Sequence, residues 1–267
     1  MKKALMYLLL ALGITLGVLF IGGAVMGFIA GFVDAMHENE VGTTSTMSMM
    51  TVGGVCMILA LCLILHWVFL HLGFASYSEG RIPRPVRWKV ILGIILAMAG
   101  MAVLNCIVYN PIAEPDGTLL TESDNKMREF FIWMKAHPYT SILMMIIIEA
   151  TANLVICGAV LREILEWKHR PAIVITVYAV IMAFISISVS RPLLIIPAML
   201  MAQLEGWVFE YSRSVIPVII GDVVFWIVML CLMGTVFSGW WLLPVAVLIV
   251  GGTILTLKVM EPYKPID

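Results

Sequence analysis

The chain has 267 residues, 62% hydrophobic and 12% charged, with a formal net charge of −1 and a mean hydropathy of +1.05. An average soluble domain carries about 25% charged and about 45–50% apolar residues, so this chain lacks the polar groups to cover its own surface. A soluble enzyme, a nucleic-acid binder, a secreted disulfide scaffold and a disordered protein are excluded. The composition predicts an integral membrane protein whose first partner is the lipid bilayer.

Crossing the hydrocarbon core takes about 20 apolar residues. The sequence predicts an all-α, polytopic membrane helix bundle, a single integral membrane domain over residues 1–267. Its eight spans run approximately 4–33, 48–76, 87–109, 140–161, 171–190, 192–208, 214–236 and 239–259. The first opens on Lys2 and Lys3, but its apolar run is too long for the roughly 7–15 residues of a signal-peptide core, so it reads as an uncleaved helix. It carries Gly13, Gly17, Gly22, Gly23, Gly27 and Gly31, small residues that let helices pack closely. In the second span His66 and His71 are five residues apart and fall on different helical faces.

Residues 110–139 form the one long connection. Asn110-Pro111 and Pro115-Asp116-Gly117 are turn signals. The mixture of charge with Phe130, Phe131, Ile132 and Trp133 over Met127–Lys135 predicts a short helix at the outer membrane surface. Trp133 and Tyr139 would then sit at headgroup level, with a lid over a substrate path as the alternative. The sixth span, carrying Pro192 and Pro197, is the shortest; without it the count is seven.

The few cations set an orientation. With the N-terminus inside, twelve Lys and Arg fall on the inner side, and only Lys126, Arg128, Lys135 and Arg191 on the outer. That asymmetry follows the positive-inside rule and places both termini in the cytoplasm.

A charge at the centre of a membrane helix costs about 2.5–3.5 kcal/mol on insertion scales, so each asks for a partner or a function. Glu149 and Asn153 lie four apart, on one face of the fourth span. Glu205 falls toward the cytoplasmic end of the sixth, and Asp222 about two turns into the seventh. Glu149, Asn153 and Asp222 are candidates for a polar pocket, with Glu149 the best available acid or base; plain helix–helix hydrogen bonding is the alternative. Arg162, Glu163, Glu166 and Arg170 read as an ion-pair cluster beyond the fourth span. Five cysteines (Cys56, Cys62, Cys106, Cys157, Cys231) sit singly in apolar runs, as reduced packing residues do. No metal-ligand spacing, nucleotide-binding loop or Gly-x-Ser-x-Gly elbow occurs, so no metal and no cofactor is expected. No convincing internal repeat appears either.

The stretch Gly206-Trp-Val-Phe209-Glu-Tyr-Ser212-Arg-Ser214-Val-Ile-Pro217-Val-Ile-Ile-Gly-Asp222 resembles the G-x-x-Y-x-x-T-G-S-L-x-P-x-x-x-x-H motif of the CPBP family of intramembrane proteases. That family includes CAAX-prenyl endopeptidases and bacteriocin-immunity proteins. Upstream, Gly158-Ala-Val-Leu161-Arg162 resembles the tail of its E-E-x-x-x-R-G-x-L-L-R motif, so the similarity spans residues 149–233. The catalytic positions depart from the pattern. The family's paired glutamates fall on Ala152 and Asn153, and its arginine on Cys157. Its first histidine falls on Ser186 or Ser188, depending on one gap, its second on Asp222, and its asparagine on Trp226.

In the family a glutamate activates water while histidine and asparagine stabilise the oxyanion. Losing one such donor alone costs about 10²–10³ in rate. The resemblance therefore implies a catalytically degenerate relative in a bacterial cytoplasmic (inner) membrane. It would bind a membrane protein or peptide in an immunity or scaffold-like role, through a pocket of Asn153, Asp222, Glu149, Ser186 and Ser188. An active endopeptidase with its glutamate relocated to Glu149 is one alternative, and a small-molecule or lipid transporter subunit the other.

Overall fold

A computed structural model of the chain describes residues 2–36, 44–72, 88–110, 112, 122–168, 170–186 and 192–259. The helices are α1 (Lys2–Met36), α2 (Thr44–His71), α3 (Trp88–Val108), α4 (Glu122–Ala136), α5 (Pro138–Asn153), α6 (Arg162–Lys168), α7 (Pro171–Ser186), α8 (Ile195–Ser212), α9 (Ile216–Leu232) and α10 (Leu242–Val259). A π-helical segment, Leu154–Leu161, joins α5 to α6, and single 3₁₀ turns precede α8 and α10. No strand occurs among the described residues.

Among the described residues, five stretches are long and apolar enough to cross a membrane: Lys2–Ile29, Gly53–His71, Trp88–Val108, Pro138–Trp167 and Gly239–Lys258. Pro171–Phe184 and Ile216–Leu232 are equally apolar but shorter. The chain is an all-α, multi-pass integral membrane protein. Burial separates centre from periphery, because 56% of the best window in Trp88–Val108 is buried against 11% in Lys2–Ile29. Accordingly α3 is the central helix, packed mainly on α10 and α9, and α1 lies at the edge against α2 and the π segment. Lipid tails are as apolar as leucine, so close packing and hydrogen bonds hold such helices together rather than a hydrophobic driving force.

The main core joins Ile94, Met98 and Met101 of α3 to Ile175, Val208, Val218, Phe225 and Met229 of α7, α8 and α9. A second, smaller core sets Ala11 and Phe69 of α1 and α2 against Leu154, Val155 and Ala159 of the π segment. Backbone meets backbone most closely at α3–α10, where a Cβ on Gly252 would lie 2.5 Å from the Ala97 nitrogen and 2.6 Å from the Gly93 oxygen. The glycines of α1 are placed differently. Gly13, Gly17, Gly23 and Gly27 have nothing within 4 Å, and Gly22 meets the Met57 side chain; the surroundings of Gly31 lie outside the described part of the structure. Spacing on one helix cannot name its partner, and here the tight seam formed on other helices.

Helix ends follow local chemistry. Pro138 and Pro217 occupy first-turn positions of α5 and α9, where a missing N–H costs nothing. Helix α8 ends at Arg213, the only non-glycine among the described residues with positive φ, at 54°. Its guanidinium pairs with Glu210 at 3.0 Å, and Ser214 Oγ accepts the Ile216 N–H at 3.2 Å as α9 begins. This tight reversal lays α8 beside α9.

A helix does cover the stretch Met127–Lys135 and is longer than expected, running over Glu122–Ala136. It buries Phe131 and Met134, while Lys135 Nζ donates to the Met233 carbonyl just past the end of α9. A cation there meets the negative end of the helix dipole. Asn110 completes that end, donating to the Thr235 carbonyl at 3.1 Å and accepting the Gly234 N–H at 3.0 Å. At the opposite end of the bundle Arg162 and Glu166 form an i,i+4 ion pair at 3.1 Å.

Candidate functional site

Two glycines position the acids. A Cβ on Gly206 would lie 2.7 Å from Ile175 Cγ2, so α8 closes on α7 beside Glu205. Gly221, next to Asp222, lets α9 close on α3, with Ile94 Cγ2 2.7 Å from where its Cβ would be. Tyr178 lies one turn beyond Ile175 and reaches Glu205 Oε2 with its hydroxyl at 3.4 Å. Asp222 is 1% exposed and Glu205 8%.

The polar side chains form a closed circuit. Asn153 Nδ2 donates to Asp222 Oδ2 at 2.6 Å and to the Glu149 carbonyl at 3.0 Å. Both neighbours are acceptors, which fixes the amide orientation. Cys157 Sγ donates to Asn153 Oδ1 at 3.6 Å and lies 3.9 Å from the Tyr178 hydroxyl. Tyr178 leads to Glu205, whose carboxyl faces that of Asp222. Beside the circuit, Trp226 Nε1 donates to Glu149 Oε1 at 2.6 Å.

Counting hydrogens around this circuit leaves one vacancy. Asp222 Oδ1 is buried with no N–H or hydroxyl donor. Its neighbour Glu205 is a hydrogen-bond partner only when one of the two carboxyls carries a proton. No Lys, Arg or His among the described residues pairs with Glu149, Glu205 or Asp222. Three carboxyls therefore share one buried region with no protein cation.

A cavity of about 280 Å³ abuts the circuit. Glu205 and Trp226 form its polar wall; Asn105 of α3, Phe131 of α4, Met182 of α7, Leu194, Pro197, Ala198, Met201 and Ala202 around the start of α8, and Phe225 and Met229 of α9 form the rest. It lies in the half of the bundle that carries α4, away from Arg162 and Glu166. Helix α4 thus contributes a wall of the cavity through Phe131.

Of the residues singled out in the sequence, Glu149, Asn153, Cys157, Asp222 and Trp226 lie in one hydrogen-bonded cluster. Ala152 is half-buried beside Asn153 and adds no polar group. Ser186 ends α7 with its side chain outside the described part of the structure, and Ser188 lies outside the described residues. Two members were missed as site residues. Glu205 was visible as an intramembrane acid, whereas Tyr178 carried no signal beyond one aromatic in an apolar helix. No group of three or more His, Cys, Asp or Glu among the described residues is placed to hold a metal ion. Comparison with known proteins finds no matching family model, no matching curated protein and no matching solved structure.

Proposed function

We propose that this protein is a CPBP-like membrane protein that binds a membrane protein or peptide at the cavity beside Glu205 and does not cut it. In this reading α1, α2, α3, α5 with its π continuation, α7, α8, α9 and α10 make eight crossings of a bacterial inner membrane, with both termini cytoplasmic. The cavity then faces the outer half of the bilayer, under α4.

One observation carries the proposal: the groups at the family's catalytic positions are bonded to one another. Asn153, where the family has a glutamate, gives its amide hydrogens to Asp222 and to a backbone carbonyl. Trp226, where the family has its oxyanion-stabilising asparagine, gives its one side-chain N–H to Glu149. Peptide hydrolysis needs a base within reach of water and a donor aimed at the developing oxyanion. Here the donor is committed to the one carboxylate that would serve as a relocated base.

The test is co-reconstitution of a fluorescent single-span peptide with the donor-labelled protein in nanodiscs. Energy transfer should saturate, fall when Ala198→Trp fills the cavity, and leave the peptide intact by mass spectrometry. Transfer indifferent to Ala198→Trp, or a fragmented peptide, defeats the reading.

A further inference from the structure

The cavity joins three features that together describe a ligand. Its walls include the aromatic rings of Phe131, Phe225 and Trp226 and the thioethers of Met182, Met201 and Met229. Its one ionisable wall group is Glu205, 8% exposed and without a cationic partner among the described residues. Behind Glu205, the buried Asp222 Oδ1 lacks a donor. Aromatic faces attract cations through their quadrupoles, most strongly where water is excluded. A carboxylate among aromatic rings inside a membrane is therefore a site for positive charge on an apolar body.

We propose that the cavity binds a small organic ammonium carrying an aromatic or alkyl group, with Glu205 as its counter-ion, in exchange for one proton from the Glu205–Asp222 pair. The size fits a compact ligand, because 280 Å³ lies near the lower end of the roughly 300–1,000 Å³ of ligand pockets. Charge balances in the exchange. In the empty site one proton completes the circuit between Glu205 and Asp222. When the ammonium seats against Glu205 its positive charge replaces that proton, which leaves to solvent.

The titratable groups around the pair are Glu149 from α5, Cys157 from the π segment and Tyr178 from α7. Helices α3 and α4 present only Asn105 and Phe131 to the cavity. No basic side chain among the described residues competes with the ligand. The inference rests on the cavity being a binding site, and it names the chemistry that would be recognised there.

The probe is benzyltrimethylammonium, titrated calorimetrically into the full chain in nanodiscs, in two buffers of different ionisation enthalpy. Neopentylbenzene, the uncharged isostere, is the control. The cation should bind with release of about one proton near neutral pH, and more weakly as pH falls. Neopentylbenzene should bind at least roughly 30-fold more weakly, since a desolvated cation–π contact alone is worth about 2 kcal/mol or more. Glu205→Gln should weaken cation binding by roughly 30-fold or more, the lower end of the cost of truncating one partner of a buried charge pair.

Equal binding of the neutral isostere, or cation binding without proton release, overturns the proposal. Both readouts use the unmodified protein, so they hold if Glu205→Gln fails to fold. Failure here with peptides still bound and uncut leaves the proposed function standing. Cleavage of peptides together with proton-coupled ammonium binding reverses that outcome.

Discussion

Replacing Asp222 by Asn changes one atom of the circuit. Asp222 Oδ2 accepts from Asn153 at 2.6 Å, while Oδ1 has no donor and faces the Glu205 carboxyl. In the Asp222→Asn protein the amide oxygen keeps the Asn153 bond, and the amide nitrogen takes the place of Oδ1 and donates to Glu205. A buried polar atom left unpaired costs about 1–3 kcal/mol, and a new hydrogen bond returns about 0.5–1.5 kcal/mol net. Once alkali has removed the proton that Glu205 and Asp222 share, the substitution should therefore stabilise the protein by about 1–3 kcal/mol, an unusual sign for a change at a residue that is 1% exposed.

Asp222→Leu, of similar size, leaves one hydrogen of Asn153 without an acceptor and Glu205 with only the Tyr178 hydroxyl, and should destabilise by about 1–3 kcal/mol. Reversible unfolding in mixed micelles, followed by tryptophan fluorescence, measures both. The gap between Asp222→Asn and the wild type should be small near neutral pH, where one shared proton completes the wild-type circuit, and should open as alkali removes that proton. Destabilisation by Asp222→Asn as large as that by Asp222→Leu would refute the hydrogen count on which the site rests.

Three further outcomes follow from single contacts. Trp226→Phe keeps the ring but removes the 2.6 Å donor to Glu149, and should cost about 1–3 kcal/mol in the same unfolding assay. Gly252→Ala places a methyl group against the α3 backbone and should lower stability by about 1–3 kcal/mol, whereas Gly13→Ala, with nothing within 4 Å, should be neutral or raise it by up to about 1 kcal/mol. Ser214→Ala removes the hydroxyl that accepts the Ile216 N–H at the start of α9, and should cost about 0.5–2 kcal/mol.

The sequence told more about the fold than about the site. Apolar run lengths pointed to an all-helical, multi-pass chain, since a bilayer imposes its thickness on any chain that crosses it, although only five of the described helices are long and apolar enough to cross, not eight. Mixed charge and aromatics between 127 and 135 marked α4, which buries Phe131 and Met134 and leaves Glu129 and Lys135 exposed. Glu149, Asn153 and Asp222 stood out by being expensive in an apolar run, and the structure sets them within one cluster.

Glu205 was read as lying near a helix end because the sixth span was stopped at residue 208. Helix α8 runs on to Ser212, which puts Glu205 about 10 Å inside it at about 1.5 Å per residue. Tyr178 and the π segment left no mark in the sequence. The first depends on Gly206 letting α7 close on α8, and the second on tertiary packing against α1 and α2. The glycine pattern of α1 pointed to a seam there, but a small residue permits a close approach without causing one.

The central claim is that these residues bind without cutting. It is tested most directly by incubating the purified protein in nanodiscs with transmembrane and prenylated peptides, and searching for new peptide termini by mass spectrometry. The account predicts that every peptide stays intact across the pH range in which the protein remains folded, for the wild type and for Glu149→Gln alike. Cleavage by the wild type that disappears in Glu149→Gln would contradict it and make Glu149 a working base.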